Sequence, residues 1–177
     1  LGLEIDVEYI AEPKLDGVAV ELVYENGEFS HGSTRGDGTT GEGISQNLKT
    51  IRSIPLMLNG DAPTLLEIRG EVYITHDDFK KMNEQRMDKE EQPFANPRNC
   101  AAGSLRQLDP SITNQRPLRI YCYAPGIIEG ILFDNQKEFL DYLPKWGLPV
   151  NPYIKTGFGI DFLMDYYQQA ETFRQKL

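Results

Sequence analysis

The sequence predicts an α+β fold in which antiparallel sheets are flanked by helices, and three observations carry that prediction. Short runs rich in Val, Ile, Tyr and Leu follow one another near the N-terminus with Gly and Asn between them; residues 65–74 alternate apolar and polar; and helix-start signals at Thr75 and Asn96 lie between strand-like stretches. At 177 residues the chain suffices for one domain with a sizeable core, spanning residues 1–177, and does not demand a second. The formal net charge of −9 argues against unspecific nucleic-acid binding through bulk charge, while leaving room for a local basic face. No apolar run approaches the length of a membrane span and no signal-peptide pattern opens the chain, so a cytoplasmic, membrane-free protein is expected. Leu1 in place of Met points to a processed or excised chain. Cys100 and Cys122 have no metal-type spacing and read as buried small apolar residues, and His31 and His76 lack a metal-binding context.

In chain order, Val7 to Glu12 and Val18 to Tyr24 read as strands with Asp16-Gly17 breaking them apart. Glu25-Asn26-Gly27 is a hairpin turn signal and Phe29 to Thr34 its return strand, which would place Lys14 at the start of an antiparallel meander. A short helix is expected from Ile44 to Ile51, ending before Ile54-Pro55. In the strand from Leu65 to Ile74, Glu67, Arg69 and Glu71 share one face and Leu66, Ile68, Gly70, Val72 and Ile74 the other. Thr75 caps a helix to about Arg86, and Asn96-Pro97 starts a small-residue helix from Arg98 to Gln107. Leu118 to Ile128 reads as a buried strand broken at Pro125-Gly126, and Gln136 to Lys145 as an amphipathic helix ending at Gly147, with Trp146 in the core. An irregular segment from Pro149 to Gly159 precedes a last helix from about Asp161 to Lys176.

Chemistry concentrates at Glu12-Pro13-Lys14-Leu15-Asp16-Gly17. If extended, this stretch projects Glu12, Lys14 and Asp16 from one face. A lysine amine is a nucleophile only when neutral, and deprotonating an ordinary lysine at pH 7 costs roughly 4–5 kcal/mol, a cost that neighbouring carboxylates increase. Reactivity at Lys14 therefore calls for burial, a nearby cation, or Mg2+ held by acids and substrate phosphates. The plainer alternative is a solvated strand face with an ion-pair ladder. Downstream, Thr34 to Gly43 holds four glycines in ten residues, with hydroxyl, acidic and basic side chains between them. Such a loop lets backbone N–H groups approach an anion closely; it is also what a mobile surface loop looks like, and it is not a Walker loop. Arg98 and Arg106 would stand about two turns, roughly 12 Å, apart on a helix whose small residues permit close approach, an arrangement suited to phosphate as well as to solvent.

Taken together these stretches resemble the adenylation domain of bacterial NAD-dependent DNA ligases. The resemblance rests on Lys14-Leu15-Asp16-Gly17, on Thr34-Arg35-Gly36-Asp37-Gly38-Thr39-Thr40-Gly41-Glu42, on Glu67-Ile68-Arg69-Gly70-Glu71-Val72, and on Asn96-Pro97-Arg98-Asn99 with Ala101 through Pro110. It covers residues 12–150, with Lys145 to Val150 as its last clear piece; K-x-D-G is shared with ATP-dependent ligases and capping enzymes, whereas the glycine loop and the Asn-Pro-Arg block are particular to the NAD class. The resemblance implies a nucleotidyltransferase (ATP-grasp-like) fold and a lysyl-AMP mechanism. Lys14 would attack the α-phosphate of NAD, and AMP would pass to the 5′-phosphate of nicked double-stranded DNA. It further implies Glu12 against adenine, Arg35 and Glu71 around the ribose, Asp16 supporting Lys14 and a Mg2+ site, and Arg98 and Arg106 facing the nucleotide and the nick. Which residues bind the metal is left open. Cys100 stands where the family pattern leads one to expect alanine, and nothing after Val150 matches the family's later lysine-bearing motifs. The chain is thus expected to be a monomeric fragment of an adenylation domain, impaired when alone. Two further readings stay open from sequence: an ATP-dependent ligase or capping-type enzyme, and a non-catalytic nucleotide- or partner-binding module.

Overall fold

The computed structural model describes residues 7–36 and 40–173. The chain divides into two compact units, one of Leu15–Val150 and one of Leu1–Lys14 with Asn151–Leu177.

The larger unit is organised on a four-stranded antiparallel sheet. Its strands are β2 (Val18–Glu25), β3 (Glu28–Thr34), β4 (Leu65–Tyr73) and β5 (Arg119–Glu129), in the spatial order β3-β2-β4-β5. The β2–β3 hairpin turns through Asn26 and Gly27 at φ 51° and 82°, the left-handed pair whose twist matches that of the flanking strands. Register then follows from the period of two: Val20 pairs with Gly70 and Leu22 with Ile68, so the apolar positions of adjacent strands fall on one face. On that face Val20, Leu22, Tyr24, Leu66, Ile68, Val72, Ile120 and Cys122 are all buried. Each large aliphatic among them contributes about 1.5–3 kcal/mol by leaving water. The opposite face carries Glu21, Glu67, Arg69, Glu71, Tyr121 and Tyr123.

Pro125-Gly126 does not break β5. Proline cannot donate to the ladder, and the strand absorbs it as an irregularity in which Leu66 pairs with Ile128 but Ile68 with Pro125. The helices follow the cap chemistry. In α2 (His76–Asp88) the Thr75 side chain accepts the Asp78 N–H, and in α3 (Pro97–Leu105) Asn96 accepts the Asn99 N–H at 2.7 Å. The first helix is shorter than the sequence suggests: α1 spans Ser45–Leu48 and continues as i to i+3 turns to Ile54. A further helix, α4 (Pro110–Asn114), is capped by Asp109. Helix α5 (Gln136–Tyr142) tightens into a 3-10 turn at Leu143–Trp146, because Pro144 has no N–H to continue the α-helical ladder, and stops at Gly147 with φ 87°. Trp146 is buried as expected, its indole N–H donating to the Asp61 carbonyl.

The smaller unit pairs β1 (Glu8–Ala11) antiparallel with β6 (Lys155–Phe158) and packs α6 (Gly159–Phe173) on them. Its core is Ala11, Tyr166 and Phe173, with Tyr153 stacked on Phe173 at 4.4 Å. Two expectations are corrected here. Lys14 does not open a meander, because β1 takes β6 as its partner rather than β2; and residues 149–159, read as irregular, contain β6. Strand pairing is chosen by available edges, and a four-residue strand containing Gly157 has too little pattern to announce itself. The last helix begins at Gly159 rather than Asp161, and the end expected at Lys176 lies outside the described residues.

Candidate functional site

Asp16 and Gly17 lead into β2 in the larger unit, and the chain holds them there through β4 and α3. The Gly17 N–H donates to Glu71 Oε1 at 3.2 Å. Arg98, in the first turn of α3, reaches Asp16 Oδ1 through Nε at 2.9 Å and lies 4.0 Å from Glu71 Oε1 through Nη2. Proline at the first helical position and the Asn96 cap fix where α3 starts, and so where Arg98 stands. The three charges differ in exposure: Glu71 is 12% exposed, Arg98 50% and Asp16 70%. Glu71 is therefore the anchored member, while Asp16 and Arg98 face solvent. Gly17 is required by space, since a methyl group there would stand 2.2 Å from the Val72 carbonyl oxygen.

Arg106, at the end of α3, pairs through Nε with Glu42 Oε2 at 3.1 Å. Glu42 closes the glycine-rich loop: its N–H donates to Thr34 Oγ1 at 3.0 Å and its carbonyl accepts the Thr34 N–H at 2.9 Å. Gly36 turns at φ 55°, where a side chain would collide with the Thr40 carbonyl. The loop centre, residues 37–39, lies outside the described residues. Arg35 is exposed, its N–H donating to the Ala19 carbonyl at 2.9 Å. Together with Glu21, Ser33, Arg69 and Tyr123 it lines a cavity of about 260 Å³ on the polar side of the sheet.

Lys14 and Glu12 belong to the smaller unit, and both are exposed. Loss of water around the Glu12 carboxyl raises its pKa above the ordinary carboxylate value. Burial, and then the Glu12 charge, raise the Tyr166 phenol. Within the larger unit the sequence-predicted residues group as Asp16 and Glu71 on Arg98, Arg106 on Glu42, and Arg35 at its cavity; Glu12 and Lys14 belong to the smaller unit. Glu42 and Gly17 were not singled out as partners. Their contacts join residues 64 and 54 positions apart, and no local pattern encodes such a pairing. Among the described residues no three His, Cys, Asp or Glu side chains gather as a metal-ion site.

The family model of the NAD-dependent DNA ligase adenylation domain matches residues 1–177. The chain belongs to that family. Similar proteins are the DNA ligase of Geotalea daltonii, 56% identical over all of this chain and 27% of its own length, and that of Geobacter sulfurreducens, 53% identical over all of this chain and 27% of its own length. The DNA ligase of Geotalea uraniireducens is 53% identical over 97% of this chain and 26% of its own length. This adenylation-domain chain therefore spans about a quarter of the relatives it matches. Among its described residues no helix is long and apolar enough to cross a membrane.

Proposed function

We propose that residues 1–177 are a fragment of one adenylation domain of nucleotidyltransferase (ATP-grasp-like) fold, in a cytoplasmic bacterial NAD-dependent DNA ligase, and that the chain by itself is monomeric. In this reading Lys14 Nζ, once deprotonated, attacks the α-phosphorus of NAD. A phosphorus–nitrogen bond forms, the bond to the nicotinamide mononucleotide oxygen breaks, and the departing mononucleotide carries the electron pair. AMP then passes from Lys14 to the 5′-phosphate of nicked duplex DNA, and the 3′-hydroxyl displaces it.

The observation that carries this reading is the contact of Arg98 with Asp16, inside the K-L-D-G stretch, and with Glu71. Group transfer at phosphorus depends on positioning and on neutralising charge where it develops. A guanidinium held from two sides is such a preorganised positive group, and Glu71, by binding the Gly17 N–H, fixes the backbone that follows the nucleophile. Glu12 and Arg35 are assigned to the adenosine moiety, Arg98 and Arg106 to the nucleotide and nick phosphates. The donor set suits Mg2+ only as an ion shared with nucleotide phosphates, with Asp16 as its protein carboxylate, where it would supply further charge neutralisation.

The test is made on a protein of the relatives' length that contains this chain. Incubation with NAD and Mg2+ is expected to add one AMP mass on the peptide holding Lys14, and Lys14→Ala to abolish it. An undiminished adduct in Lys14→Ala would overturn the assignment. Labelling by ATP but not by NAD would overturn the choice of donor.

A further inference from the structure

Residues 89–95 join α2 to α3 as an irregular segment within the larger unit, and α2 holds that segment from one face. Asn83 answers both backbone groups of Phe94. Its Oδ1 accepts the Phe94 N–H at 2.8 Å, and its Nδ2 donates to the Phe94 carbonyl at 3.0 Å. A side-chain amide can do this because it carries donor and acceptor side by side, and a segment outside helix or sheet needs such partners for its backbone. One turn on, Arg86 donates through Nε to the Gln92 carbonyl at 2.8 Å and pairs with Glu91 at 2.9 Å. Positions 83 and 86 are neighbours on the helix surface, so one face of α2 grips the whole approach to α3.

The Phe94 ring is tied to α3. Its Cε1 lies 3.5 Å from the point where a Cβ on Gly103 would stand, so the ring sits close against the small-residue helix. The guanidinium carbons of Arg86 and Arg116 lie 4.5 Å and 5.3 Å from the ring centroid, and Arg116 donates to Ser104 Oγ of α3 at 2.7 Å. Phe94 is thus fixed to α2 by its backbone and to α3 by its ring. Two residues later comes Asn96, the cap of α3, and two after that Arg98. Arg98 and its carboxylate partner Asp16 are both exposed, and an exposed ion pair by itself holds a side chain weakly. The place of the guanidinium must therefore come from its backbone. We infer that Asn83 is a positioning residue for Arg98: by gripping both backbone groups of Phe94 it sets where α3 begins, and so where the guanidinium stands during AMP transfer. The inference rests on the reading that Arg98 faces the phosphates under transfer.

The experiment is a double-mutant cycle in the protein of the relatives' length, read as kcat and KM for NAD in the joining of a nicked duplex. Asn83→Leu is expected to lower kcat by about 10- to 100-fold, the effect of a displacement near 1 Å, and to change KM for NAD by less than about threefold. In the Arg98→Ala background the same substitution should change kcat by no more than about threefold, because the group it positions is gone. An equal loss in both backgrounds, or an unchanged kcat in Asn83→Leu, overturns the inference. Asn83→Asp keeps the acceptor for the Phe94 N–H and loses the donor to the carbonyl; it should show a smaller loss with the same dependence on Arg98, and it decides the question where Asn83→Leu does not fold. The Arg98 Nε–H resonance of this chain, assigned by its disappearance in Arg98→Ala, reads the placement without any chemistry. It should shift in both Asn83 variants, and an unshifted signal overturns the inference. A wild-type protein that never labels on Lys14 defeats the adenylation reading alone, and this resonance still decides whether Asn83 places Arg98.

Discussion

Replacing Gly17 by alanine tests how the site is held. The added methyl carbon would stand 2.2 Å from the Val72 carbonyl oxygen, 2.9 Å from Glu71 Cγ and 3.0 Å from the Val72 carbonyl carbon. The nearest of these is backbone of β4, which is paired on both sides, with β2 and with β5, and so cannot swing away as a side-chain tip would. Restoring ordinary contact requires the strands to part by roughly 1 Å or more. Such overpacking costs about 1–3 kcal/mol, and misplacing the 3.2 Å bond from the Gly17 N–H to Glu71 adds about 1 kcal/mol. The expected destabilisation of about 2–4 kcal/mol corresponds to roughly 30- to 1,000-fold in the unfolding constant. Urea unfolding followed by fluorescence reads it directly, because the one tryptophan, Trp146, is buried in the same unit. With a urea slope of about 2 kcal/mol per molar, the midpoint should drop by about 1–2 M. Gly43→Ala is the control: a methyl there meets nothing within 4 Å, so its effect should stay within about 0.5–1 kcal/mol and can be stabilising. Equal midpoints for the two variants would refute the argument that close strand approach dictates glycine at position 17.

Two other outcomes follow from buried groups. Asn47 is buried and its Nδ2 donates to the Gln107 carbonyl at 2.9 Å and to Thr113 Oγ1 at 2.8 Å, so Asn47→Leu should cost about 2–3 kcal/mol by stranding two acceptors; a urea midpoint equal to wild type would refute this. Cys122 is fully enclosed, and burial pushes its thiol up to about 12 from 9.0. Between those values the native state keeps a proton that the unfolded state has lost. This stabilisation is therefore complete below pH 9 and declines as pH rises through that window. Cys122→Ala should show a shallower fall in the urea midpoint between pH 8 and pH 10, and an unchanged slope would exclude Cys122 as a contributor.

Elements whose pattern is strong and local were legible in the sequence. The alternation at Leu65–Tyr73, the Asn26-Gly27 turn and the Thr75 and Asn96 caps each encode their structure within a few residues, and each is found where expected. Short or interrupted elements were less so. Proline at 125 suggested a break that a paired strand absorbed, Pro144 converted the end of a helix into a tighter turn, and β6 carried too little pattern to be seen. The same division runs through the site, where residue types were legible and their partners were not.

Sequence alone determined the chemistry-bearing vocabulary: Lys14 between two acids, a glycine-rich loop, two arginines on one small-residue helix, and with these the family. These features are local, because a motif needs only the right residue types at the right spacing. Tertiary structure decided which charges meet. Asp16 and Arg98 are 82 residues apart, and only the packing of α3 beside β2 and β4 brings them to 2.9 Å. It also decided that β1 pairs with β6, and that Arg116 meets both Ser104 and the Phe94 ring. Contacts of that range depend on which hydrophobic faces are buried against each other, a property of the whole chain and of no single segment.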